Sequence, residues 1–290
     1  MHILVTGGTG QVGTELSRLE WPAAVRLHCP SRSELNLADP PSVTAQLKAK
    51  SWDAILSCGA YTAVDKAERD STTAWLVNAV APATLAAGSA ELGIPIVHVS
   101  TDYVFSGDKE GWYIENDPVG PINTYGASKE GGEQAVRTGN PRHAIVRSSW
   151  VVSANGANFI KTVLRLARER EELRVVADQH GCPTSATDLA AALQAITLGF
   201  LFGSDASYGT YHYANGGETN WAELAAEVFS NSQALGGPSA KVTAIASADH
   251  PTPARRPANS RLDTSKLRDT FGLEIRPWQR AVQEIVQTVI

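Results

Sequence analysis

The sequence predicts an α/β protein built on a doubly wound parallel sheet, with a smaller lobe in its C-terminal half. Three observations carry that reading. Short apolar runs rich in β-branched residues alternate with longer amphipathic stretches through the first half of the chain. A glycine-rich turn follows the first of those runs directly. After Trp150 the alternation loosens.

Taken in order, the strand segments are HILVTG (2–7), VRLHC (25–29), DAILSCG (53–59), IPIVHVS (94–100) and HAIVRSS (143–149). Between the third and fourth lies STTAWLVNAVAPATLAAGSAELG (71–93), whose apolar positions recur at three and four residues and whose end is marked by Gly93. It predicts a crossover helix. Beyond Trp150 come a helix (158–171), a short strand (173–178), a helix (187–196), the segment GTYHYAN (209–215), a helix from about Asn220, and a loop holding PARRPANSR (253–261). The expected organisation is a nucleotide-binding domain over 1–150, to which a segment at about 185–205 returns, and a second lobe made mainly from 151–290.

The 290 residues, 43% hydrophobic and 19% charged, describe a globular chain with ample core. A net charge of −5 argues against a nucleic-acid surface, since duplex binding leaves a basic stripe and only PARRPANSR is locally basic. Cys29, Cys58 and Cys182 have neither disulfide nor zinc spacing. No apolar stretch is long enough to span a membrane, and Met1 leads straight into a strand, so a cytoplasmic protein is expected.

ILVTGGTGQVGTEL sets Gly7, Gly10 and Gly13 between a strand and a helix. Glycines there let the backbone approach a pyrophosphate, which the helix N-terminus stabilises, so a Rossmann-type dinucleotide site is expected. An acidic residue at the end of the second strand would bond the ribose 2′-hydroxyl of NAD and repel a 2′-phosphate. Here the chain reads HCPSRSELN, with Ser31 and Arg32 as phosphate donors and Glu34 close by. NADPH is expected, with NADH as a weaker alternative. TYGASKEGGE places Tyr125 and Lys129 four residues apart, on one face of a helix. An ammonium roughly 5 Å from the phenol, at an effective dielectric near 20, would favour the phenolate by about 3 kcal/mol, or roughly two pKa units.

With these motifs, STDYVFSG, GAYTAVDKAE, DQHGCPTSATDLA, GTYHYANGGETNWAELA and RRPANSRLDTSKL extend a pattern that runs from residue 7 to residue 267. The chain resembles the extended short-chain dehydrogenase/reductase superfamily and, within it, the dTDP-4-dehydrorhamnose reductase family. The resemblance implies reduction at C4 of dTDP-4-dehydro-L-rhamnose (dTDP-6-deoxy-L-lyxo-4-hexulose) to dTDP-L-rhamnose, with Thr101, Tyr125 and Lys129 catalytic. Tyr125 gives the proton, Thr101 bonds the same oxygen, and Lys129 serves Tyr125 and the nicotinamide ribose. It also implies cofactor contacts from Gly7, Gly10, Gln11, Val12, Gly13, Asn36, Leu37, Gly59, Ala60, Thr62, Asn78, Tyr125 and Lys129, beside the Arg32 read above. Asn36 stands where the family often has Asp. Substrate contacts fall on Val64, Asp102, Tyr103, Trp150 and Arg256, together with Thr101 and Tyr125.

Some family members join two copies through magnesium bound by glutamates. Glu15 matches one such position, but Thr187 stands at another, so no metal is expected and a homodimer is left open. Alternatives are a reductase of another nucleotide-linked keto-deoxysugar, or a non-catalytic subunit like the regulatory one of methionine adenosyltransferase. A 4,6-dehydratase would carry a second carboxylate where Tyr103 stands. A GDP-fucose-synthase-like route would need a cysteine in the STDYVF loop.

Overall fold

The computed structural model describes residues 1–203 and 207–290. In chain order the first half gives β1 (His2–Thr6), α1 (Gln11–Arg18), β2 (Arg26–His28), α2 (Pro40–Lys48), β3 (Ala54–Ser57), α3 (Val64–Ala67), α4 (Ser71–Trp75), α5 (Ala81–Glu91), β4 (Ile96–Thr101), α6 (Thr124–Gly139) and β5 (His143–Ser148). The second half gives β6 (Val151–Val152), α7 (Phe159–Ala167), β7 (Glu172–Val176), β8 (His180–Gly181), β9 (Thr184–Ser185), α8 (Ala186–Phe202), β10 (Gly209–His212), β11 (Thr219–Asn220), α9 (Trp221–Ala234), β12 (Lys241–Ile245), β13 (Asn259–Ser260), α10 (Ser265–Phe271) and α11 (Trp278–Val289).

All five expected strands form, in one parallel sheet of order β10-β5-β4-β3-β1-β2. Alternation along each strand sends Ile3, Val5, Leu56 and Val146 to the face covered by α1 and α8. Leu4, Ile55, Ile96 and Ile145 go to the face covered by α2, α5 and α6. The strand order reverses between β1 and β3, and their C-terminal ends are where an open α/β sheet offers its crevice.

The segment 209–215, expected in the second lobe, instead supplies the sixth strand: Gly209–His212 pairs with Ala144–Arg147 of β5. Its Tyr211 and Tyr213 join the core that α8 covers. The returning segment is α8 up to Gly203, while positions 204 and 205 lie outside the described residues. A second core unites α7, α9 and α11 with the parallel pair β7 and β12, through Ile160, Val163, Val175, Leu224, Val228, Val282 and Ile285. No helix among the described residues is long and apolar enough to cross a membrane.

The crossover helix is interrupted. Residues Leu76–Val80 form a π-helical turn between α4 and α5. Pro82 has no N–H for the carbonyl of Asn78 four residues back, and that carbonyl abuts Gly132 of α6, where a Cβ would overlap it. Gly93, at φ +69°, ends the helix as expected.

Candidate active site

The glycine-rich turn is built by close approach. Gly7 sits at φ +69°, where a Cβ would strike the backbone of Gly59, and a Cβ on Gly13 would overlap the Gly7 carbonyl. Gly10 N donates to Gly7 O at 2.9 Å and caps α1. The loops after β1 and β3 are laced together by Gly59 N donating to Thr6 Oγ1 at 3.0 Å. Leu37 lies against Gly59. Such a cradle, small at every point of contact, fits a pyrophosphate over a helix N-terminus.

Several expected cofactor contacts have other engagements. Val12 packs against the core, and Gln11 Oε1 accepts from Asn158 at 2.9 Å. Asn36 Oδ1 accepts from Ala38 N at 3.1 Å, shaping its own turn. Asn78 is fully buried and clamps the loop holding Gly59, Ala60 and Thr62: its Oδ1 accepts from Tyr61 N and its Nδ2 donates to Tyr61 O and Ser128 Oγ. It positions that loop against α6. Ser31 is corrected as a phosphate donor, because its hydroxyl proton goes to Glu34 Oε2 at 2.8 Å. Glu34 also accepts from Ser31 N, and these bonds hold its carboxyl below the usual range. Arg32, exposed, makes no hydrogen bond or ion pair among the described residues.

Thr101 ends β4, and its Oγ1 donates to Asp102 Oδ1 at 3.0 Å while accepting from Tyr103 N at 3.2 Å. Tyr125 lies in the first turn of α6, whose N-cap, Asn123, accepts from Gly126 N at 2.8 Å. A Cβ at Gly126 would overlap the Tyr103 carbonyl, so the glycine lets α6 bring Tyr125 against the turn after Thr101. The rings of Tyr103 and Tyr125 meet edge to face at 5.5 Å. Burial pushes the Tyr125 phenol up to about 12, opposed by the Thr101 hydroxyl and aided by the Asp102 charge. Burial lowers Lys129 to about 8, against the Glu133 carboxylate and Cys58.

The expected depression of the Tyr125 pKa by Lys129 is therefore overturned. The ammonium donates to Val99 O at 2.7 Å, and desolvation dominates both groups. Burial raises Asp102 to about 6, with the Ser260 and Thr101 hydroxyls pulling the other way.

Val64 lies in a small apolar cluster with Tyr61, Tyr103 and Tyr125. Arg256 Nη2 donates to Asp65 Oδ2 at 2.7 Å, while its Nη1 is buried without a partner among the described residues. Trp150 has φ 48°, rare for a side chain of its size, and stacks on Trp221 with ring centroids 3.6 Å apart. Its indole covers Gly181, where a Cβ would collide with it. Asp65, His98, Asn123, Glu133 and Trp221 were not singled out in the sequence; only Asn123, an N-cap residue before TYGASK, carried a local signal.

Glu15 is committed within the chain. Its Oε1 accepts from Asn155 at 2.6 Å and Arg18 at 3.1 Å, and its Oε2 from Thr187 at 3.2 Å. Among the described residues no group of three or more His, Cys, Asp or Glu side chains is placed to hold a metal.

A family model, the RmlD substrate binding domain, matches residues 1–290. The dTDP-4-dehydrorhamnose reductase of Sinorhizobium fredii is 44% identical over 100% of this chain and 98% of its own length. The chain belongs to the dTDP-4-dehydrorhamnose reductase family. The Escherichia coli K12 reductase of that name is 39% identical over 99% of this chain and 97% of its own. Two solved family structures superpose closely. The Clostridium acetobutylicum protein gives a TM-score of 0.91 at 33% identity, covering 99% of each chain. The Bacillus anthracis protein, in complex with NADP, gives 0.90 at 33% identity, covering 98% of each.

Proposed function

We propose that this chain reduces the C4 ketone of dTDP-4-dehydro-L-rhamnose to give dTDP-L-rhamnose, with NADPH as reductant. One observation carries the reading: Thr101 and Tyr125 meet at the mouth of β4, beside a glycine cradle shaped for a dinucleotide pyrophosphate. NADPH, when bound, supplies the hydride to C4. The chain's own residues do the rest. The Tyr125 phenol, raised to about 12 by burial, is protonated at neutral pH and gives its proton to O4 as negative charge develops there. The Thr101 hydroxyl, whose proton goes to Asp102 before substrate binds, is assigned a hydrogen bond to the same oxygen. Lys129 has its ammonium anchored by the Val99 carbonyl and is assigned the cofactor ribose.

Trp150 and Val64 are assigned the sugar, and Arg256, with one buried nitrogen unpartnered, the diphosphate. The first 150 residues with α8 and β10 serve the cofactor, and the lobe of α7, α9 and α11 serves the substrate. Three free thiols accord with the cytoplasm, where NADPH and nucleotide sugars are found.

The test supplies the 4-keto sugar in situ from the upstream dehydratase and epimerase, follows NADPH oxidation by its absorbance, and identifies the product. Stoichiometric oxidation with dTDP-L-rhamnose formed supports the proposal. No oxidation with any nucleotide-linked keto sugar, and co-purification with an adenosyltransferase, would favour a binding subunit.

A further inference from the structure

We propose that His98 is a positioning residue for Lys129, its imidazole Nε2 accepting one ammonium N–H so that another is left for the cofactor ribose. The inference rests on the reductase reading above. His98, in the middle of β4, is fully buried, with Nε2 3.4 Å from Lys129 Nζ and Nδ1 3.0 Å from Ser57 Oγ at the end of β3. An ammonium has three donors and no acceptor. Nε2 must therefore carry the lone pair, and the imidazole proton sits on Nδ1, pointed at Ser57.

The same count orients Lys129. Val99 O takes one N–H at 2.7 Å and His98 Nε2 a second, both on the sheet side. One N–H remains. A protonated imidazole would face the ammonium at 3.4 Å in a buried site, and burial together with Lys129 holds His98 well below its usual range, so the ring stays a neutral acceptor. The other charged or titratable groups facing Lys129 are Glu133 on α6 and Cys58 beyond β3. Glu133 is itself held by Arg147 of β5 at 2.7 Å and by Arg137. The alternation that packs buried Val97 and half-buried Val99 on one face of β4 points His98 to the other, toward α6.

The test compares His98→Leu, which removes the acceptor, with His98→Gln, which keeps one. His98→Leu should raise the KM for NADPH about tenfold, the worth of one hydrogen bond to a charged group, and leave the KM for the nucleotide sugar unchanged. The alkaline limb of kcat/KM should move down by roughly one pH unit as the ammonium loses its acceptor. His98→Gln should restore most of both. A folded His98→Leu with the wild-type limb and NADPH KM would overturn the assignment. If His98→Leu does not fold, Ser57→Ala takes its place, with a smaller shift in the same direction expected and an unmoved limb counting against it.

A second readout needs no turnover. Nitrogen-15 spectra of the wild-type protein should show the His98 ring as the Nδ1–H tautomer, untitrated from about pH 5.5 to 8.5. An Nε2–H or titrating ring would overturn the proposal whatever the enzyme does. A wild-type protein without reductase activity but with the Nδ1–H ring would instead count against the reductase reading alone.

Discussion

Asn78 Nδ2 donates to Ser128 Oγ at 3.0 Å, and through that bond a fully buried amide in the π-helical turn holds α6 against the loop after β3. Ser128 precedes Lys129, and its hydroxyl in turn donates to Tyr125 O at 2.8 Å. Asn78→Ala would strand the Tyr61 backbone groups that Asn78 now satisfies. A loss of about 2 to 4 kcal/mol in unfolding free energy is expected, from two or more buried groups left unpaired. Urea denaturation measures it, and wild-type stability in the Ala variant would show that the clamp is dispensable.

The pH dependence of reduction follows from Lys129. Its folded pKa is lowered to about 8, so the ammonium is present below that value and lost as pH rises through it. Tyr125, raised to about 12, keeps its proton over the same interval. The alkaline limb of kcat/KM for the free enzyme should therefore fall near pH 8, and Lys129→Arg, charged throughout, should move that limb to higher pH or remove it. A limb unchanged in Lys129→Arg would transfer it to another group.

Arg32 is expected to read the 2′-phosphate, since its guanidinium is uncommitted while Ser31 and Glu34 bond each other. Arg32→Ala should raise the KM for NADPH roughly ten- to a hundredfold, the range for losing a charged hydrogen bond, with little change for NADH. Equal effects on both cofactors would remove Arg32 from the role.

Much of this site was legible because its signals are local. The glycines of 7–13 and the pair Tyr125 and Lys129 declare themselves by spacing, and the five strands by β-branched runs. What escaped depends on contacts between distant segments. Gly209–His212 has four residues and no pattern naming its partner, and only tertiary pairing with β5 puts it in the main sheet. The Trp150–Trp221 stack joins residues 71 apart in sequence, which no periodicity anticipates. His98 reads as one polar letter in an apolar strand until α6 brings Lys129 to it. The direction of the Tyr125 shift was misread because spacing gives proximity and says nothing of burial.

Asp102 should trade stability for its place in the site. Its folded pKa of about 6 lies above the 3.8 of an unburied aspartate, so the protonated form is the one folding favours. Its contribution is greatest below pH 3.8 and is lost as pH rises through 6, leaving a deficit of about 2 to 3 kcal/mol at neutral pH. Asp102→Asn should raise the stability at pH 7.5 by about 1 to 3 kcal/mol and reduce its change between pH 4 and 6.5 (~ the window set by the two pKa values). Denaturant titrations at the two ends of that window test it, and a destabilised Asn variant would show that the carboxylate is needed for packing.

The reductase account depends most on the proton held by Tyr125. The direct measurement is the turnover number of Tyr125→Phe with NADPH and the in situ 4-keto sugar, alongside a fluorescence titration of NADPH on the same preparation. A fall in kcat of about 10²-fold or more is expected, the lower range for loss of a positioned general acid. NADPH affinity should be unchanged, because Lys129 and the glycine cradle remain intact. Near-wild-type turnover by the Phe variant would contradict the assignment of Tyr125 as the proton donor.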